Sequence, residues 1–495
     1  MYPKQIHWAL IPNQSNKRCL FISKYHFVMS VSDFSELTSQ QCQRARLSRD
    51  SRFDGHFFTA VKTTGIFCRP ICPANPPHER NVEYFANQAH ALQAGYRPCL
   101  RCRPESAPGS YAWKGVETTF QRAINLIDRG ELQDSSLSSL AIRLGISDRY
   151  LRLLFKKYIG MPPKQYAQYQ QLMFAKQLLH SSNMNIADIA YASGFNSLRR
   201  FNDAFQKKLK LTPRDTRKKS IDINDSTSLK KHLKLNYRPP FNWQHLLNFY
   251  RKRAIDGIEI IGEHDYFRTF KIDQATGWFK ATLGANNTLL IEFEIDDITQ
   301  LQNLVSQIRR LFDLDADIAI IEQHLKQTAI APFVSSGLRI PGVWNPWEAG
   351  IRAIFGQQIS ITAAIRMLNS FVGALNQGQN EHYFPAPFDV ANTDLGFLKM
   401  PQSRKDTLKR FAQYMVDYPN AAPDSWISLK GIGPWTINYA KLRGLSDTDC
   451  FLSTDLVVKK TITEVSRSPE DLTKLTCALS PWGSYATFNC WNSQS

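Results

Sequence analysis

The chain is predicted to be a multidomain, mainly α protein: a small α+β domain built on metal-binding cysteines, an all-α double helix-turn-helix domain, an α+β unit with a small antiparallel sheet, and an all-α C-terminal domain. Three observations predict this. At 495 residues the chain exceeds one ordinary core, since domains run to about 100–200 residues. Four of its nine cysteines fall between positions 68 and 102. Apolar residues recur at helical spacing over most of the sequence and alternate, as in a strand, chiefly in "GWFKATLGANNTLLIEFEI" at 277–295.

Polar seams divide the chain. "RPESAPGSYAWKG" at 103–115 and "TRKKSIDINDSTSLKK" at 216–231 read as linkers, and "SSGLRIPGVWNP" at 335–346 as a turn-rich passage between packed units. The expected domains are therefore 31–106, 115–219, a linker at 220–233, then 234–335 and 336–495. The antiparallel sheet is placed at about 257–296, and the sequence beyond about 298 reads as helical. Residues 1–30 read as an N-terminal extension, with Met29 an alternative start. Lys17, Arg18 and Lys24 interrupt its apolar stretches and no small-residue cleavage site follows, so no secretory signal is expected. No apolar run approaches the roughly 18 residues that would cross a bilayer, so no membrane role is expected.

The formal net charge is +18, which predicts a polyanionic partner. Residues 1–113 carry 14 Lys and Arg against 7 Asp and Glu, residues 114–220 carry 19 against 8, and the remainder carries 28 of each. The excess thus lies in the first two domains.

Cys68, Cys72, Cys99 and Cys102 form Cys-x3-Cys and Cys-x2-Cys knuckles, the donor set of a closed tetrahedral zinc site. The scattered Cys19, Cys42, Cys450, Cys477 and Cys490 read as structural thiols in a reducing cytoplasm. Spacing alone would leave the zinc purely structural. The surrounding residues 54–105, with "TTGIFCRP" and "GYRPCLRCRPE" flanking the ligands, resemble the N-terminal domain of the Ada family of methylphosphotriester sensors. That resemblance implies that Cys68 is both ligand and methyl acceptor, while Cys72, Cys99 and Cys102 are ligands only.

"SLSSLAIRLGISDRYLRLLFKKY" and "NIADIAYASGFNSLRRFNDAFQKKL" each show two amphipathic helices around a Gly-containing turn, the layout of helix-turn-helix units. Their second helices should start near Ser147 and Ser197, whose hydroxyls can cap them. Arg149, Arg152, Arg199 and Arg200 are the candidates to meet DNA bases, the alternative for each being a phosphate contact or a solvated face. Residues 115–219 resemble the AraC-type DNA-binding domain, which implies promoter DNA and RNA polymerase as partners.

In the C-terminal half, "LKGIGPWTINYAKLRGLSDTDCFLSTDLVVKK" at 429–460 places Gly431 and Gly433 in a hairpin before a helix, where backbone N–H groups can hold a phosphate. With "LNYRPPFNWQHLLNFYRKRAIDGIE", "LRIPGVWNPWEAGIRAIFGQQIS" and "PWGSYATFNCW", the segment resembles the helix-hairpin-helix DNA glycosylases of the AlkA, 3-methyladenine type. The resemblance implies a catalytic Asp455 and a base pocket shaped by Trp435, Tyr439 and Trp491. Core packing is the alternative for the two tryptophans, and a helix cap the alternative for Asp455. Trp435 stands where lyase-competent members carry a lysine, which implies a monofunctional enzyme, and no four-cysteine run for an iron–sulfur cluster is present near the C-terminus. Gln358 stands where the family inserts an apolar wedge into the emptied base stack.

The expected function is a bifunctional DNA alkylation repair protein, acting as a cytoplasmic, nucleoid-associated bacterial monomer with zinc as cofactor. Methylation of Cys68 would switch on promoter binding, and the C-terminal half would hydrolyse the N-glycosidic bond of alkylated bases. Two other readings stay open: a DNA-binding regulator with an inactive glycosylase scaffold, and an active glycosylase whose zinc domain only targets it to DNA.

Overall fold

The computed structural model describes residues 37–50, 53–102, 104, 119–128, 130–218, 231–379, 381–463 and 469–493. The expected extension at 1–30, Cys19, and most of the two polar linkers lie outside the described residues.

The first domain opens with α1 (Ser39–Ser48), whose N-terminus is closed by a capping box between Thr38 and Gln41. Strands β1 (Phe58–Val61), β2 (Ile66–Cys68) and β3 (Val82–Phe85), helix α2 (Gln88–Gln93) and the short β4 (Arg97–Pro98) follow. The sheet order is β3-β1-β2-β4, with β2 and β4 parallel. Period-two alternation gives β1 two uses. Phe58 and Ala60 pack with Phe67 and Ala91 on one side, while Phe57 joins Cys42 and Ala45 on the other.

The second domain is all helical: α3 (Thr119–Asp128), α4 (Glu131–Asp134), α5 (Leu137–Arg143), α6 (Asp148–Tyr158), α7 (Pro163–Ser181), α8 (Ile186–Ala192), α9 (Leu198–Leu209) and α10 (Pro213–Lys218). Helices α5–α6 and α8–α9 are the two expected helix-turn-helix units, and α7 joins them. Ser147 accepts from the Tyr150 amide and Ser197 from the Arg200 amide, so α6 and α9 begin where their caps predict. Gly194 holds the second turn at φ +79°, where a Cβ would also strike the Gln133 side chain at 2.4 Å.

The remaining chain carries a five-stranded antiparallel sheet, order β5-β9-β8-β7-β6. It comprises β5 (Lys231–Asn236), β6 (Glu259–Ile261), β7 (Asp265–Ile272), β8 (Ala275–Leu283) and β9 (Thr288–Ile295), with α11 (Trp243–Arg251) between β5 and β6. Strand β5 begins inside the stretch read as linker. Only its Leu233 and Leu235 are buried, and the lysines, histidine and asparagine between them hide the alternation in sequence. From β5 the sheet core runs without a break into α7–α9, so the second and third domains share one apolar cluster.

Beyond the sheet come α12 (Leu301–Leu311), α13 (Ile318–Leu325), α14 (Pro346–Gly356), α15 (Ile361–Leu375), α16 (Pro387–Asn392), α17 (Gln402–Asp417), α18 (Pro434–Gly444), α19 (Leu456–Thr463), α20 (Pro469–Leu479) and α21 (Gly483–Ser493). The turn-rich passage at 335–346 is packed: Leu338, Ile340, Val343 and Trp344 are buried. Arg339 is fully buried within it and donates to the carbonyls of Asp313, Arg238 and Pro240.

Sheet and helical half are joined by a buried four-charge network. Arg268 on β7 donates to Glu259 at 2.9 Å and to Glu348 on α14 at 2.5 Å. Arg352 on α14 donates to Glu259 at 2.7 Å and to Glu348 at 2.9 Å. Tyr266 adds a further bond to Glu259 at 2.7 Å. Burial pushes the Glu259 carboxyl up, but Arg352 and then Arg268 outweigh it and hold the group down at about 2. Its stabilising contribution is therefore fully present above the ordinary carboxylate range near 4.5 and is lost as pH falls through about 2. Glu348→Ala leaves two guanidiniums under-compensated and should cost about 3–5 kcal/mol, read as a lower denaturation midpoint at pH 7.

Candidate functional site

In the first domain, β2 ends on Cys68 and the turn after it returns Cys72, whose amide donates to the Arg69 carbonyl. Cys99 follows β4, its amide bonded to the Phe67 carbonyl at 2.9 Å. The four Sγ atoms of Cys68, Cys72, Cys99 and Cys102 lie within 4.8 Å of one another, close to the roughly 3.8 Å edge of a tetrahedron with Zn–S bonds of about 2.3 Å. Thiolates this close repel one another, and a dication among them relieves that repulsion for all four, so the donor set fits zinc. Cys68 and Cys72 are partly accessible, whereas Cys99 and Cys102 are buried. Arg69 anchors the knuckle, pairing with buried Asp54 and donating its amide to the Cys102 sulfur at 3.3 Å. Cys42, Cys450 and Cys490 are buried as structural thiols; Cys477 is exposed.

Arg149, Arg152, Arg199 and Arg200 are all exposed on α6 and α9. They share the outer faces of the two helices that follow the Gly turns. Among the described residues only Arg152 of the four has an ion-pair contact, a loose 3.9 Å one to Asp148.

The C-terminal candidates converge on one carboxylate. Asp455 immediately precedes α19, and its Oδ1 accepts from the Val457 and Val458 amides at 3.0 and 3.2 Å. The same oxygen accepts from the Trp491 indole at 3.0 Å, and Oδ2 accepts from the Trp435 indole at 3.3 Å. Asp455 is thus a helix cap whose two oxygens also take the two indole N–H groups. Trp435 stacks on Tyr439 with centroids 5.2 Å apart, and Tyr439 lies 6.5 Å from Trp491. All three rings are only partly buried, packed on one side against the core cluster and accessible on the other.

Three residues of this pocket were missed in sequence. Phe249 on α11 stacks on Trp491 at 6.4 Å. The Arg253 guanidinium sits 3.8 Å from the Phe249 ring centroid, and burial lowers its pKa to about 10. Arg443 is buried and donates to the Tyr439 hydroxyl at 2.7 Å. Burial would raise the Tyr439 phenol, but Arg443 and then Arg253 outweigh it, so the phenol lies below its ordinary value. The available signal was helical spacing: Phe249 and Arg253 are four apart, as are Tyr439 and Arg443.

The hairpin before α18 is preceded by a 3-10 turn, Pro423–Ser428, in place of a full α-helix. Gly431 takes φ +97°, and a Cβ there would lie 2.1 Å from the Thr407 hydroxyl. Gly433 caps α18, and a Cβ there would meet nothing within 4 Å, so its surface is open to a ligand. Gln358 is exposed at the tip of the α14–α15 turn, at φ +59°. The neighbouring Gln357, not singled out in sequence, ties this tip to the hairpin by donating to the Gly431 carbonyl at 3.1 Å.

Comparison with known proteins covers all three units. Family models match as the metal binding domain of Ada over residues 41–105, a helix-turn-helix domain over 140–219 and the AlkA N-terminal domain over 232–345. A probable bifunctional transcriptional activator/DNA repair enzyme AlkA from Mycobacterium tuberculosis is 32% identical over 475 residues, covering 91% of this chain and 96% of the relative. The chain belongs to this family. In this chain the metal binding domain of Ada, the helix-turn-helix domain and the AlkA N-terminal domain follow one another in this order, and the family joins transcriptional activation to DNA repair. Shorter relatives match the halves separately. DNA-3-methyladenine glycosylase 2 of Escherichia coli is 29% identical over 52% of this chain and 95% of its own length. The E. coli bifunctional transcriptional activator/DNA repair enzyme Ada is 40% identical over 29% of this chain and 39% of its own.

Gly431→Ala is expected to strain the hairpin by more than about 1 kcal/mol and to weaken binding to duplex DNA severalfold, measured by fluorescence anisotropy. Gly433→Ala, with open space at its Cβ, should leave the melting temperature nearly unchanged.

Proposed function

We propose that the N-terminal half senses DNA alkylation at Cys68 and activates transcription, while the C-terminal half excises alkylated bases at Asp455. The observation that carries the reading is the Asp455 carboxylate, held by two indole N–H groups at the mouth of an aromatic pocket.

At the sensor, Cys68, Cys72, Cys99 and Cys102 would hold zinc, which would keep their sulfurs deprotonated at neutral pH. The Cys68 sulfur attacks the methyl carbon of a DNA methylphosphotriester. An S–C bond forms, the C–O bond to phosphate breaks, and the phosphodiester leaves with its negative charge. The triester is locally neutral, so it can approach where an ordinary phosphate is repelled. Loss of one thiolate charge then lowers repulsion between the first domain and DNA, which strengthens binding of α6 and α9 to a promoter. RNA polymerase is the protein partner this activation requires.

At the glycosylase site, the base must leave the helix before reaction. Cationic 3-methyladenine is attracted to the Trp435, Tyr439 and Trp491 faces by cation–π contacts of about 0.5–2 kcal/mol, and it is already a good leaving group. The bond from C1′ of the sugar to the base breaks, the base departs with that electron pair, and the Asp455 carboxylate stabilises the positive sugar and orients the attacking water. The water oxygen bonds to C1′ and releases a proton. With Trp435 in the lysine position, no Schiff base forms there, so the enzyme is monofunctional. The chain acts as a monomer in the cytoplasm, on the nucleoid; no described helix is long and apolar enough to cross a membrane. The intact hydrogen-bonded carboxylate and open aromatic walls favour this over an inactive scaffold.

Asp455→Asn should abolish release of 3-methyladenine from methylated DNA, followed by chromatography of freed bases, while leaving DNA affinity within about threefold; full excision would sink the assignment. Protein methylated at Cys68 should bind its promoter more tightly than unmethylated protein in a gel-shift titration, and equal affinities would remove the switch.

A further inference from the structure

The outer face of α6 is cationic apart from two exposed residues, Leu153 and Tyr150. Arg149, Arg152, Lys156 and Lys157 are all exposed along it. Leu153 lies one turn after Arg149 and one turn before Lys156 and Lys157, so it occupies the centre of this charged strip. Its side chain is 57% exposed, and Tyr150, one turn earlier, is 48% exposed. The core side of the same helix is already filled by Leu151, Leu154 and Phe155, so Leu153 serves no packing role within the domain. The corresponding face of α9 differs. After Leu198 at its first position it presents Arg199, Arg200, Asn202, Asp203, Gln206 and Lys207, all able to form polar contacts.

We propose that α6 reads a thymine in its major-groove segment through the 5-methyl group, with Leu153 as the specificity-determining contact and Tyr150 beside it. The surrounding charge selects the occupant: four cationic side chains around one apolar group match phosphate rims around a groove floor. In that floor the thymine methyl is the apolar feature that separates T·A from the other pairs. The arginines and lysines fix register on the backbone, and Leu153 then reports one base. This rests on the proposed promoter binding by the helix-turn-helix pair and adds a defined base class to it.

The test uses the zinc-loaded, full-length protein. Preferred duplexes are enriched from a random pool, and each thymine in the half-site facing α6 is replaced singly by deoxyuridine, which removes only the methyl group. At one position the substitution should weaken wild-type binding about fourfold, the equivalent of about 0.8 kcal/mol for one buried methyl-sized group. Leu153→Ala should lose a similar factor on the thymine site and become indifferent to deoxyuridine there, while binding random-sequence DNA as wild type does. Exposure of the side chain predicts an unchanged melting temperature for this variant, and Leu153→Met should restore the preference. If no deoxyuridine weakens wild type, or Leu153→Ala keeps the full thymine preference, the proposal is overturned. A Leu153→Ala defect seen only in transcription with RNA polymerase, and not in DNA affinity, would likewise overturn it and assign the residue to a protein contact. Failure of the pool to yield any preferred site would instead refute promoter reading itself, and this contact with it.

Discussion

The glycosylase half depends on the buried network of Glu259, Arg268, Glu348 and Arg352. Its members come from the sheet and from α14, and each is at most 6% exposed at the side chain. Charges this deeply buried are tolerable only when all partners are present, so the network admits one relative placement of sheet and helices. Consequences follow along the chain in both directions. Arg352 also donates to the Arg253 carbonyl at 2.8 Å, fixing the end of α11 that supplies the Phe249 wall. At the other end of α14, Gln357 is tied to the Gly431 hairpin. Phe249, the α14–α15 turn and the hairpin are thereby registered to one another.

Within that frame Asp455 is oriented by donors rather than by charge partners. Two backbone amides fix Oδ1 as a helix cap, and the two indoles, one on each oxygen, fix the plane of the carboxylate. Both oxygens are engaged by neutral donors, the arrangement that the proposed stabilisation of a positive sugar requires. The tryptophans therefore act twice, because their rings line the pocket while their N–H groups aim the carboxylate. Neighbouring arginines are turned to other partners, Arg443 to Tyr439 and to the carbonyls of Pro341 and Gly342, and Arg253 to the Phe249 face.

Much of this was legible in the sequence because it depended on local chemistry. Ser147 and Ser197 announced the starts of α6 and α9, since a capping hydroxyl acts within three residues. The four cysteines announced a metal cage, and the Gly-Ile-Gly run its hairpin. What stayed hidden depended on distant partners. Nothing in "KHLKLN" shows that a polar stretch becomes the edge strand β5, because its two leucines find their burial only against β9 and α7. Phe249, Arg253 and Arg443 carry no motif of their own, and they matter only because α11 and α18 are brought to the same pocket. Gln357 carries no signal in sequence, and its tie to the hairpin appears only in three dimensions. For Asp455, cap and catalyst were weighed as alternatives, whereas the cap geometry is compatible with the proposed catalytic role because the indole contacts are made alongside it.

The proposed sensor and excision site lie far apart in sequence and would share a substrate, alkylated duplex DNA, but use different chemistry: a sulfur consumed once at Cys68 and a carboxylate regenerated at Asp455. This difference gives the most direct test. Full-length wild-type protein and Cys68→Ala are incubated with methylated duplex DNA, and mass spectrometry follows both the Cys68-containing peptide and the free bases in each sample. The account predicts at most one methyl per wild-type chain, located on Cys68 and absent from the variant, together with many released 3-methyladenines per chain in both. Methyl transfer without base release, base release without transfer to Cys68, or loss of both in Cys68→Ala would contradict it.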